Sequence, residues 1–131
     1  MENDDKYYIP EIEDLRIGYE MEANINFYIS ENVWVHTTLM GVDEAVRKYH
    51  GMGMYRTLYL TKEQIEVEGW TNIENEEGLL FQNKKIINIY LVYYINTKFC
   101  RIYLSDESCN FFFGYIKSIN EFRYICKLLK I

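Results

Sequence analysis

Proline is nearly absent, with one in 131 residues. No proline-rich linker, low-complexity tract or internal repeat is present, so one domain spanning residues 1–131 is expected, with residues 1–6 as a flexible tail. Cysteine is scarce too. The three cysteines make an odd count, and none form a Cys-x-x-Cys motif. That excludes a disulfide framework and the commonest zinc sites. Cys100 and Cys126 sit among apolar residues and read as reduced core residues of an intracellular protein. No apolar run approaches the ~20 residues of a membrane span. The opening MENDDKYYIP is acidic and lacks the basic-then-apolar order of a secretory signal. A cytoplasmic location without membrane contact is expected.

Positive charge is also in short supply. Lys and Arg number 14 against 20 Asp and Glu, for a net charge of −6. Sequence-independent nucleic-acid binding needs a basic face that displaces counterions from phosphates. Nucleic acid is therefore not an expected partner. The charge is uneven: Glu11, Glu13, Asp14, Glu20 and Glu22 crowd the first part, while Lys117, Arg123, Lys127 and Lys130 close the chain. The simplest reading is a solvated surface with mild complementarity between its ends.

Aromatic residues are abundant. They make up 17% of the chain, including 13 Tyr and 7 Phe. Such side chains suit pleated, half-buried surfaces. The segment around Phe27–Ile29, Ser30–Asn32 and Val33–Leu39 reads as strand, turn and strand. In the return strand Val33, Val35 and Thr37 share one face, and Trp34, His36 and Thr38 the other. Asp43–His50 reads as a short helix, acidic at its start and basic at its end. The strand MYRTLYL then feeds a strongly punctuated helix. Thr61 and Gln64 form a capping box, and Gly69 suits the left-handed C′ position. The acidic NIENEEG reads as a loop. From Leu79 onward the pattern is a meander, with strands at Ile86–Ile95, Phe99–Leu104 and Cys109–Ile116. Ser118 and Glu121 resemble a second capping box. The final helix places Ile119, Phe122, Ile125, Cys126 and Leu129 on one face. The expected fold class is α+β: an antiparallel β-sheet meander, a packed amphipathic C-terminal helix and one or two short connecting helices.

No catalytic constellation emerges. Gly51 and Gly53 form a Gly-x-Gly pair, but a helix precedes it and a strand follows, the reverse of a dinucleotide fingerprint. Two histidines, His36 and His50, are too few and too far apart for a metal centre, so neither metal nor cofactor is expected. Cys109 has no histidine near it in sequence. An enzyme or small-ligand site would have to gather His36, His50, Arg56 and Cys109 from distant positions.

The meander holds the most informative pattern. Alternation places Ile87, Ile89, Leu91, Tyr93 and Ile95 on one face, joined by Cys100, Ile102, Leu104, Phe111 and Phe113. This is a core closed by the last helix. The opposite face carries Tyr90, Val92, Tyr94, Arg101, Tyr103 and Phe112. A solvent face ordinarily holds Lys, Glu and Thr, so something is expected to cover this one. The N-terminal half is the simplest cover. A second protein or a second copy is the next, because Tyr and Arg are enriched at binding hot spots. Stacked single-stranded bases are the third, and the net charge opposes them.

Three phrases, IEDLRIGYEME, LYLTKEQIEVEGW and FFFGYIKSINEFRYICKLLKI, resemble a loose group of small proteins encoded by tailed phages and prophages. The similarity comes in short pieces over most of the chain after Tyr7, and VDEAVRKYHGMG stands outside it. The shared motifs are helix caps and core residues. They imply a fold and bring no functional residues with them. What the resemblance implies is context: a phage accessory protein in the cytoplasm of a bacterium, or a virion-associated one. The expected function is a non-enzymatic protein-binding module. It would engage a host or phage protein through Tyr90, Tyr94, Arg101, Tyr103 and Phe112. A self-associating structural protein is the alternative.

Overall fold

In a computed structural model of the chain, residues 6–25, 31–106 and 109–131 are described. Tail residues 1–5 and the proposed strand at Phe27–Ile29 lie outside them. Among the described residues the fold is α+β, with two antiparallel sheets and three α-helices, the last of them C-terminal to both sheets. The chain divides into two compact units, Met1–Tyr59 and Leu60–Ile131.

The first unit holds β1 (Tyr7–Tyr8), β2 (Glu20–Asn24), β3 (Trp34–Thr38), α1 (Glu44–Gly51) and β4 (Tyr55–Leu58). Its strand order is β1-β4-β2-β3. The strand facing β3 is β2, with Glu22 opposite His36 and Asn24 opposite Trp34. Helix α1 begins where expected, because the Asp43 carboxylate accepts the Val46 N–H at 3.0 Å. One face of the sheet buries Tyr19, Met21 and Tyr55 with Leu15 and Leu39, and Val46 of α1 packs onto that cluster. Burial, with the neighbouring Tyr49 and Asp43, raises the Tyr55 phenol above its ordinary pKa.

The second unit holds α2 (Lys62–Val67), β5 (Trp70–Glu74), β6 (Leu79–Asn83), β7 (Ile89–Tyr94), β8 (Phe99–Leu104), β9 (Asn110–Tyr115) and α3 (Ile119–Leu129). Its sheet is a pure meander, in the order β5-β6-β7-β8-β9. The capping box opens α2. Thr61 Oγ1 accepts the Gln64 N–H at 3.1 Å, and Gln64 Oε1 accepts the Thr61 N–H at 3.0 Å. Gly69 follows at φ +103°, a conformation L side chains rarely adopt. It turns Trp70 into the core, where the indole meets the Phe122 ring at 6.3 Å. Phe81, Leu91, Tyr93, Cys100 and Ile102 fill the sheet's inner face, and Ile119 and Phe122 of α3 close it. The Tyr93 hydroxyl donates to the Ile116 carbonyl at 3.2 Å, so this buried phenol is satisfied.

Four expectations are corrected. Asn72–Glu74, expected in the NIENEEG loop, belong to the strand Trp70–Glu74: buried Trp70 anchors it, and Thr71, Ile73 and Glu74 are exposed. The strand expected from Ile86 begins at Ile89. The Asn83 carboxamide oxygen accepts the N–H groups of Lys85 and Ile86, and Asn88 sits at φ 71°, so the chain is still turning there. Ile87 and Ile95 accordingly fall outside β7 and are exposed. At α3 the second capping box does not form. Ser118 makes no cap bond, and the Glu121 carboxylate reaches past it to accept the Lys117 N–H.

The fourth correction concerns β9. Ile102 pairs with Phe112, yet Tyr103 pairs with Asn110, so one extra residue is inserted around Phe111. This bulge reverses the alternation read from sequence. Phe112 turns inward and packs against the core cluster, while Phe111 and Phe113 are exposed.

The cysteines divide by environment. Cys100 is buried, Cys126 half-buried and Cys109 exposed. Burial, aided by Cys126, pushes the Cys100 thiol far up. Burial and then Glu68 push Cys126 up to about 12, against an opposing hydrogen bond from Trp70. At mildly alkaline pH a thiol reagent is expected to label one site rapidly, Cys109, and the other two only after unfolding. The unfolded chain ionises both thiols near their ordinary pKa while the folded chain does not. Their contribution to stability is therefore whole below the ordinary thiol pKa and is lost as the pH climbs towards 12.

Candidate functional site

The outer face of the second unit's sheet is built by strict alternation, because every second residue of β6, β7 and β8 points away from the buried cluster. The registers align three rows. Gln82, Tyr90, Tyr103 and Asn110 form the first; Leu80, Val92, Arg101 and Phe113 the second; Tyr94, Phe99 and Tyr115 the third. Tyr90 stacks on Tyr103 with centroids 6.1 Å apart, and Phe99 meets Tyr115 edge-on at 5.6 Å. The Arg101 guanidinium lies 4.3 Å from the Tyr103 ring centroid, and its Nε donates to Asn110 Oδ1 at 2.6 Å. These contacts hold the rings in fixed orientations, so little rotamer freedom would be lost if a partner buried them.

Of the five residues expected here, the sheet brings together Tyr90, Tyr94, Arg101 and Tyr103. Phe112 is on the other side, for the reason given above. Phe99, Phe113 and Tyr115 take its place. Phe99 was legible in the sequence, since it alternates with Arg101 and Tyr103. Phe113 and Tyr115 were not, because nothing in NFFFGY announces the bulge. These two are the most open rings of the face, at 67% and 71% exposure.

Gly78 shapes one end of the face. A Cβ there would stand 3.0 Å from both the Tyr94 ring and Val92, so the missing side chain lets Tyr94 lie flat beside the β5–β6 loop. An open cleft of about 380 Å³ begins there, between Asn75–Gly78 and the Ile95–Thr97 turn. Glu76 and Glu77 line it, so its lip is acidic.

The scattered candidates for catalysis occupy different settings. His36 and Arg56 share a sheet face of the first unit, flanking Glu22 in register. His36 Nε2 lies 3.3 Å from a Glu20 carboxylate oxygen and is open to solvent. The Arg56 guanidinium is 3.7 Å from the Tyr7 ring centroid and 4.2 Å from that of Trp34, and its Nε bonds Glu22 at 2.7 Å. His50 donates through Nε2 to the Pro10 carbonyl. Cys109 belongs to the second unit and precedes β9. Among the described residues, no group of three or more His, Cys, Asp or Glu is placed to hold a metal ion. Among them, too, no helix is long and apolar enough to cross a membrane.

Comparison with protein-family models, with curated proteins and with solved structures found no match.

Proposed function

We propose that this chain is a non-enzymatic protein-binding module, a phage accessory protein that engages a host or phage protein in the bacterial cytoplasm. The observation that carries this reading is the ordered aromatic face of β7, β8 and β9. Tyr90, Tyr94, Phe99, Tyr103, Phe113 and Tyr115 surround a single guanidinium, Arg101. Aromatic rings with an Arg among them are the composition of binding hot spots, where a few anchors carry most of the affinity. Phe113 and Tyr115 supply open apolar area, and the phenols and Arg101 supply donors for orientation.

The test is capture from bacterial or infected-cell lysate with the tagged protein, read by mass spectrometry. The Tyr90→Ala, Tyr94→Ala, Phe113→Ala triple variant serves as comparison. One stoichiometric partner is expected with the native chain. The triple variant is expected to lose it while keeping its circular dichroism and melting temperature. Equal capture by a folded triple variant, or no capture by either, overturns the reading.

A further inference from the structure

Strand β9 is an edge. Among the described residues it pairs with β8 on one side and with no strand on the other, and only beyond its end does the Lys117 carbonyl accept the Leu60 N–H at 2.8 Å. The Ile116 N–H bonds the Lys98 carbonyl, and the registers then turn the backbone of Phe112 and Gly114 towards β8 as well. The N–H and C=O groups of Phe113 and Tyr115 therefore point to the open edge. Sheets commonly blunt such an edge with charge, proline or a bulge. The other edge of this sheet follows that rule: β5 is interrupted between Asn72 and Glu74 and ends on the Glu74 carboxylate. In β9 the bulge falls at the start, around Phe111, and Phe112–Tyr115 runs on in regular register without a charge.

We infer that β9 is a dimerisation strand that pairs antiparallel with β9 of a second copy of this chain. The register that uses the free groups sets Phe113 opposite Tyr115 of the partner, and Tyr115 opposite Phe113, with the two-fold axis at Gly114. Each of these two pairs exchanges an N–H and a C=O in both directions, giving four backbone hydrogen bonds. Each also sets aromatic against aromatic across the strands, on the same face. At the axis Gly114 meets Gly114 in the close, non-hydrogen-bonded spacing, where the absence of side chains removes any clash.

The occupant is a copy rather than a foreign strand for two reasons. The pattern Phe113-Gly114-Tyr115 is complementary to itself under a two-fold rotation, as an isologous interface requires. The charges also match: antiparallel pairing places the acidic turn at Asp106 and the partner's basic exit at Lys117 at the same end of the paired strands. The site is the backbone edge, so it stands whether or not the outer face binds another protein. Dimerisation would join two meanders into one ten-stranded sheet with a continuous aromatic face.

Sedimentation equilibrium over a wide concentration range, joined to amide hydrogen exchange, tests this. The native chain is expected to shift from monomer to dimer as concentration rises. On dimerisation the Phe113 and Tyr115 amides gain protection, while those of Phe112 and Gly114, already bonded to β8, do not. The Phe113→Lys, Tyr115→Lys double variant, altered only at exposed positions, is expected to lose the dimer and keep its melting temperature. A native chain that stays monomeric, a dimer that survives in the folded variant, or protection arising elsewhere overturns the inference. So does protection of these two amides only when another protein is added.

Discussion

Truncating Phe122 to alanine is expected to remove about 3–5 kcal/mol of unfolding free energy. The ring is fully buried, lies on α3 and packs against Trp70, so its loss opens a cavity between helix and sheet. Neither wall can collapse freely. Trp70 is held by the Gly69 turn behind it, and the sheet beneath is pinned by the meander's hydrogen bonds. A domain of this size has only about 5–15 kcal/mol in total. With a urea slope of about 2 kcal/mol per molar, the midpoint should fall by on the order of 2 M. Phe122→Leu keeps most of the volume and should cost less than about 1.5 kcal/mol. Equal midpoints for native and Ala chains in urea melts would mean that α3 does not close this core.

The second large effect is expected in the first unit. Arg56→Ala deletes a guanidinium held between the rings of Tyr7 and Trp34 and paired with Glu22. The Arg side chain is 12% exposed and its Glu22 partner 27%, so the pair is largely, not wholly, withdrawn from water. Breaking a fully buried pair costs about 3–5 kcal/mol, and each cation–π contact adds about 0.5–2. Discounted for the residual solvent at Glu22, a loss of about 2–4 kcal/mol is expected. Arg56→Lys should recover only part of it, because an ammonium does not stack as a planar guanidinium does. Adding Glu22→Gln to Arg56→Ala should restore part of the loss, since the stranded carboxylate is then gone while the contacts with Tyr7 and Trp34 stay lost. Additive losses in that double-mutant cycle would show that the two side chains do not act as a pair.

Much of this fold is legible in the sequence where local chemistry and burial agree. The α2 cap is one such place, with Thr61, Gln64 and Gly69 each in the role its side chain dictates. Helix α3 is another, because its apolar residues recur at helical spacing and no competing period exists. Legibility fails where a turn is made by a side chain rather than by glycine or proline. Asn83 ends β6 by gathering two N–H groups, and the apolar run Ile86–Ile87 after it reads falsely as strand. It fails again at β9. There a single inserted residue exchanges the two faces of a phenylalanine triplet, and three identical side chains carry no mark of which one bulges. The candidate face inherits that error along β9, where Phe112 is wrongly included and Phe113 and Tyr115 are missed, whereas β7 and β8 keep the alternation their sequences display. Arg56 escaped attention as a structural centre because Tyr7 and Trp34 are remote from it in the chain.

The strand order of the two sheets sets different schedules for their assembly. In the meander every strand pairs with its immediate predecessor, so each hairpin closes a short loop and can form as soon as its two strands exist. In the first unit β1 must wait for β4, because Tyr7 pairs with Leu58 across nearly the whole unit. Rates of folding fall as contacting residues become more distant in sequence. The segment that is synthesised first is therefore the one whose sheet closes by the longest loop, whereas the later segment can zip hairpin by hairpin. Its core must still await α3, which follows all five strands in the chain. Until then the inner faces of Leu91, Tyr93 and Ile102 stand open, and that interval is when this chain is most exposed to aggregation.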